Sequence, residues 1–136
     1  MVTGPTLVIF GASGDLTHRK LVPALYSLRR KGRFPKGMTI VGFARSENSD
    51  TEFRALMRDG VAESDLSEWD DFASTLHYVT GDFTRIEDVK ALDERLSKLE
   101  NGEESNRVYY LATAPRFYPT IVKHLGEIGI DRKSVV

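Results

Sequence analysis

TLVIFGASGDLTHRKLVPALYSLRR, residues 6–30, holds three features whose order decides the fold. An apolar run, Leu7-Val8-Ile9-Phe10, comes first. A sharp turn follows at Gly11-Ala12-Ser13-Gly14. Then Leu16, Leu21, Ala24, Leu25 and Leu28 recur at helical spacing. Strand, glycine turn, helix is the form of a phosphate-binding first βα unit. Glycines without a Cβ let the backbone turn tightly and come close to a ligand. The first amides of a helix lack intrahelical acceptors and carry the positive end of its dipole, so a pyrophosphate fits there. Thr17 stands where the full G-x-x-G-x-x-G fingerprint has its third glycine. An ordinary strand–helix turn needs glycine too, so the turn alone does not decide between ligand and no ligand.

The remainder of the chain supplies the context. The helix is expected to stop at Lys31-Gly32, with Pro23 either kinking it or marking a second start after a short first turn. Met38–Phe43 reads as a second buried strand. Its end matters for cofactor choice. An acidic residue there bonds the ribose 2′-hydroxyl of NAD, and an arginine accommodates the 2′-phosphate of NADP. Here the strand runs into Ala44-Arg45-Ser46. Arg45 offers a planar charged fork for phosphate, and Ser46 adds a hydroxyl. Glu47 follows closely, so a small register shift would exchange the fork for a carboxylate.

Ser49-Asp50-Thr51-Glu52 reads as a capped helix start, with Phe53, Leu56 and Met57 on the apolar side as far as Gly60. A further helix is expected from Asp65 to Leu76, with Trp69 in the core. His77–Thr80 reads as the third strand, and Asp82 beyond it as an acceptor for the adenine amine or a plain turn aspartate. Ile86, Val89, Leu92, Leu96 and Leu99 give an amphipathic helix over residues 85–100, ended by Asn101-Gly102. Arg107–Ala112 is the fourth strand, Thr113-Ala114-Pro115 a turn, and Phe117, Ile121, Val122 and Leu125 a last helix. Ile130–Val136 starts a new element. The alternation predicts an α/β fold: a Rossmann-like doubly wound parallel sheet, cut off before its last strands.

Bulk properties narrow the function. The chain has 136 residues, about one domain, with 40% hydrophobic and 29% charged residues. Nineteen basic and 20 acidic residues leave a net charge of −1, so there is no general attraction to nucleic acid or anionic membrane. No cysteine is present, which excludes thiolate catalysis and cysteine-bound metal. The apolar runs are too short to span a bilayer, and residues 1–10 do not read as an export signal, so a cytoplasmic location is expected.

Gly11–Tyr26, G-A-S-G-D-L-T-H-R-K-L-V-P-A-L-Y, resembles the N-terminal signature of the glucose-6-phosphate dehydrogenase family, with Asp15, Leu16, Lys20 and Pro23 all fitting. Val41–Ser46 resembles the family's second-strand end, Tyr110–Tyr118 its Tyr-Leu-Ala-x-x-Pro segment, and Ile121–Gly129 the helix after it. The resemblance implies cofactor-binding roles for Gly11, Ala12, Ser13, Gly14, Asp15 and Leu16, and for Arg45 at the 2′-phosphate of NADP. It places Tyr118 beside the nicotinamide half and Lys20 toward the sugar phosphate. The implied function is the NADP-binding part of a homo-oligomeric enzyme of the oxidative pentose phosphate pathway, one that oxidises glucose 6-phosphate to the 6-phosphogluconolactone.

The family's catalytic base is a histidine in a later αβ domain, and no such motif surrounds His18, His77 or His124. Residues 1–136 therefore read as a C-terminally incomplete NADP-binding domain, the first quarter to third of the family enzyme, with no catalytic residue and no metal site of its own. A shortened coding sequence would account for this. A short-chain-reductase reading needs Tyr-x-x-x-Lys, yet Tyr118 and Lys123 are five apart and off-face. A stand-alone NADP-binding module fits the chain taken by itself. So does a partial fold whose sheet has an unpaired edge where the next strand belongs.

Overall fold

The computed structural model describes residues 4–12, 14, 17–101, 106–128 and 134–135. Its centre is a parallel sheet of strand order β3-β2-β1-β4-β5. The strands are β1 (Thr6–Phe10), β2 (Thr39–Ala44), β3 (Leu76–Thr80), β4 (Arg107–Leu111) and β5 (Ser134–Val135). The helices are α1 (Val22–Arg30), α2 (Asp50–Arg58), α3 (Trp69–Ala73), α4 (Ile86–Leu99) and α5 (Tyr118–Glu127).

β1 is buried along its whole length, as a central parallel strand covered on both faces must be. Val8 pairs with Val41 on one side and with Tyr109 on the other. Alternate residues serve opposite faces. Leu7 and Ile9 join Ile40, Leu76 and Tyr78 beneath Tyr26 of α1, Phe53 and Met57 of α2, and Trp69 and Phe72 of α3. Val8 and Phe10 join Val41, Phe43 and Tyr109 beneath Val89, Leu92 and Leu96 of α4 and Ile121 and Leu125 of α5. Helices on both faces make the doubly wound fold the alternation predicts.

At Pro23 the second of the two expectations holds. A π-helical turn, Thr17–Leu21, precedes α1, and Pro23 lies in the first turn of α1, where its missing N–H costs nothing. The helix expected over residues 65–76 is a correction. The chain forms a 3₁₀ segment, Glu63–Glu68, then the short α3, and β3 begins at Leu76. The Ser74 and Thr75 hydroxyls donate to the Asp71 and Phe72 carbonyls at 2.6 and 2.7 Å and so compete with the helical pattern. Leu76 is fully buried and pairs with Ile40. The open edge expected beside the fourth strand is also corrected, because β5 pairs with Val108 and Tyr109 there.

α2 is held at its start as the sequence suggests. Glu52 N–H donates to Ser49 Oγ at 3.1 Å, and Ser49 N–H to Glu52 Oε1 at 2.8 Å. The next residue, Asp50, ties α2 to β3. Its carboxylate accepts Tyr78 N–H at 2.8 Å and His77 Nδ1–H at 3.0 Å, with Arg95 at 3.5 Å. Burial alone would raise its pKa, but the Tyr78 amide, His77 and Arg95 together lower it below the ordinary carboxylate value. The stabilisation is therefore present above the unfolded pKa of about 4 and is lost as pH falls through the lower folded value. Asp50→Ala is expected to cost about 2 kcal/mol at pH 7. The cost should shrink as pH falls below the unfolded value of about 4, as urea midpoints across pH would register.

Candidate nucleotide-binding cleft

From β1 the chain crosses to β2 and β3 on one side, then returns to β4 on the other. Beyond the carboxyl ends of β1 and β4 the two sides part, and open α/β sheets bind ligands at such a point. A cleft of about 450 Å3 lies there, in the size range of ligand sites.

Gly11 forms part of its lining and has a φ of +86°, a region L side chains disfavour. A Cβ built there would stand 2.5 Å from Ala112 O and 2.8 Å from Thr113 Cγ2. Its N–H donates to Phe43 O at 2.9 Å, and Ala112 N–H donates to Phe10 O at 2.9 Å, so the turn is fastened to both neighbouring strands. Gly14 also lines the cleft, and its N–H donates to Gly11 O at 3.0 Å. Ala12 faces the core instead, where its Cβ would lie 2.7 Å from a Cβ on Gly42. Ser13, Asp15 and Leu16 lie outside the described residues.

Arg45 and Ser46 also line the cleft and are exposed. Arg45 makes no ion pair within 4.0 Å among the described residues, although its charge reaches Asp82. Asp82 is on the lining too, and the plain turn role is visible. Its Oδ1 accepts from Thr84 Oγ1 at 2.6 Å and Thr84 N at 2.9 Å, which holds its carboxyl below the usual range. Lys20 is exposed on the π-helical turn, away from the cleft lining. Tyr118 is exposed, donates to Leu111 O at 3.4 Å, and leaves the lining to its neighbour Phe117.

Thr113 and Phe117, also on the lining, were read from the sequence only as turn and helix. Thr113 Oγ1 is buried without a hydrogen-bond partner among the described residues. A hydroxyl directly after the strand beside β1 is the signal that could have found it. A buried unpaired polar atom in the wall and an unpaired guanidinium at the rim suit a polar, anionic ligand such as a dinucleotide. A hollow of about 520 Å3 at the opposite end of the sheet, near Phe34 and Thr75, carries Arg29 and Lys36 but no buried unpartnered polar side-chain atom among the described residues. Its Ser74 and Thr75 hydroxyls are already committed to backbone carbonyls.

His77 is bonded to Asp50, and His124 Nδ1 lies 3.0 Å from Phe83 O. No group of three or more metal-ligating side chains occurs among the described residues. None of the described helices is long and apolar enough to cross a membrane.

The family described as "Glucose-6-phosphate dehydrogenase, NAD binding domain" matches residues 8–136. A glucose-6-phosphate 1-dehydrogenase of Chlamydia pneumoniae is 40% identical over 135 residues, covering 94% of this chain and 26% of the relative. That of Aggregatibacter actinomycetemcomitans is 38% identical over 133 residues, covering 94% and 27%. Among solved structures, a glucose-6-phosphate dehydrogenase in complex with its substrate glucose 6-phosphate superposes with a TM-score of 0.86 at 27% identity. It covers 98% of this chain and 29% of that one. The enzyme of Mycobacterium avium gives 0.80 at 26% identity, covering 97% and 29%. The chain thus spans about a quarter of the length of the curated relatives it matches.

Proposed function

We propose, from the premise that this chain belongs to the family of the glucose-6-phosphate dehydrogenase NAD-binding domain, that it is the NADP-binding part of a glucose-6-phosphate 1-dehydrogenase. The reaction converts D-glucose 6-phosphate and NADP⁺ to 6-phospho-D-glucono-1,5-lactone and NADPH. The bound nicotinamide supplies the hydride acceptor. The carrying observation is Arg45, unpaired among the described residues and lining the cleft at the end of β2.

In this reading the Gly11–Leu16 turn receives the pyrophosphate, because a close backbone and a helix start attract an anion. Arg45 and Ser46 take the 2′-phosphate, the one group that separates NADP from NAD, through charge-assisted bonds. Asp82 lies toward the adenine, Tyr118 toward the nicotinamide, and Lys20 toward the sugar phosphate. Oxidation at C1 also needs a base for the hydroxyl proton. Neither His77 nor His124 lines the cleft, which supports a base from outside the described residues. The chain alone then binds dinucleotide without turning over glucose 6-phosphate.

Calorimetric titration tests the reading. The chain should bind NADP⁺ saturably and more tightly than NAD⁺. Arg45→Ala should weaken NADP⁺ by about tenfold to a hundredfold, the worth of a hydrogen bond to a charged group. NAD⁺ should hardly change. Strong glucose-6-phosphate-dependent NADPH formation by the purified chain would refute the division of labour.

A further inference from the structure

We infer that Tyr78 is a positioning residue for dinucleotide choice: its hydroxyl fixes the backbone that aims Arg45 at the 2′-phosphate. The inference deepens the proposed NADP reading and rests on it.

Tyr78 is part of β3 and lines no part of the cleft. Its ring is buried, 5.1 Å from that of Phe53. Its hydroxyl emerges at the loop after β2 and donates to Ser46 O at 2.6 Å. On the other side of Arg45, Ala44 O accepts Gly81 N–H at 2.8 Å. The peptide group before Arg45 and the one after Ser46 are thus both pinned to β3 and its continuation. Only Arg45 and Ser46 lie between the two pinned carbonyls, so their φ and ψ are restricted together and the Arg45 Cα–Cβ direction is narrowed. Further along, Asn48 N–H approaches Thr80 Oγ1 at 3.4 Å, and the Asp50 carboxylate accepts the Tyr78 amide. Burial pushes the Tyr78 phenol above its ordinary pKa, against a smaller effect of Asn48, so the hydroxyl remains a donor.

Packing alone would not need the hydroxyl. Phenylalanine would fill the same space beside Phe53, and the oxygen serves only the loop. Arg45 is exposed, and among the described residues its side chain makes no ion pair that would order it before a ligand arrives. Ordering its backbone beforehand lowers the entropy lost when a phosphate is clamped. That benefit applies to a ligand that uses Arg45, and NAD⁺ has no 2′-phosphate to offer.

The test titrates the 136-residue chain, Tyr78→Phe and Thr80→Val with NADP⁺ and NAD⁺, and records the thermal transition of each. In Tyr78→Phe the NADP⁺ to NAD⁺ affinity ratio should fall about three- to tenfold, the scale of one lost hydrogen bond, chiefly through weaker NADP⁺ binding. Thr80→Val should lower it less, in the same direction. An unchanged ratio in Tyr78→Phe, or an equal loss for both dinucleotides, overturns the inference and leaves the NADP reading standing. A parent chain that shows no preference for NADP⁺ overturns that reading and the inference with it. If Tyr78→Phe fails to fold, the ratio in Thr80→Val decides.

Discussion

Gly11→Val is expected to abolish measurable dinucleotide binding and to destabilise the chain by about 2–5 kcal/mol, from left-handed strain of about 1–2 and overpacking of about 1–3. The two causes are separate. At φ +86° any L side chain is strained, whatever space surrounds it. The new Cβ would also meet Ala112 O at 2.5 Å, and that is backbone. Relief requires β1 and β4 to part at their carboxyl ends, where Ala112 N–H bonds Phe10 O. Parting them reshapes the cleft itself. Gly14→Ala is the control: among the described residues its Cβ would approach only Gly11 O, at 3.2 Å, a contact that a few tenths of an ångström relieve. Urea unfolding and calorimetry on both variants measure the contrast. Equal effects at the two glycines would contradict this account of the turn.

That contrast shows what could be read from residues 6–30 and what could not. An apolar run, a glycine turn and a helical period are local signals, and the local elements followed from them. Which of the two glycines carries the constraint depends on β4, about 100 residues later, folding back against β1. The same limit explains the segment after α2. Trp69 and Phe72 announce burial at helical spacing, but whether that spacing extends to Leu76 depends on β2, since Leu76 is drawn into the sheet opposite Ile40. In the cleft, Arg45 was legible because a strand end is a defined place in this fold. Thr113 was read only as a turn, because its buried hydroxyl exists only once β1 and β4 are adjacent. Tyr78 looked like any strand aromatic, since its hydroxyl acts on a loop 32 residues earlier.

Arg107 is the extreme case of a residue whose role the sequence conceals, and its removal should cost stability on the scale of the Gly11 substitution. It opens β4 with a side chain only 7% exposed. Its Nη2 donates to Glu100 Oε1 at 2.7 Å, its Nε to Oε2 at 3.0 Å, and its Nη1 to Asp93 Oδ1 at 2.7 Å. Glu100 is itself 4% exposed and also accepts from Thr6 Oγ1 at 2.9 Å. Burial opposes the charge on Arg107, but the Glu100 and Asp93 carboxylates outweigh it and hold its pKa above that of a free arginine. The group therefore cannot shed its charge. Arg107→Met would leave the Glu100 carboxylate buried without its cation, and breaking a buried pair in this way costs about 3–5 kcal/mol. Replacing Glu100 as well, by leucine, removes the stranded charge. The double variant should therefore lose less than Arg107→Met alone, because buried ion pairs give little net stability over apolar packing. Urea midpoints over the full mutant cycle would reveal this non-additivity, and simple addition of the two losses would refute it. The clamp joins α4 and the amino ends of β1 and β4, across the sheet from the cleft. Variants that remain folded should accordingly keep the parent's ratio of NADP⁺ to NAD⁺ affinity. Stability at one end of the strands and ligand choice at the other then vary independently, as expected for a rigid sheet that carries its chemistry on the loops at a single edge.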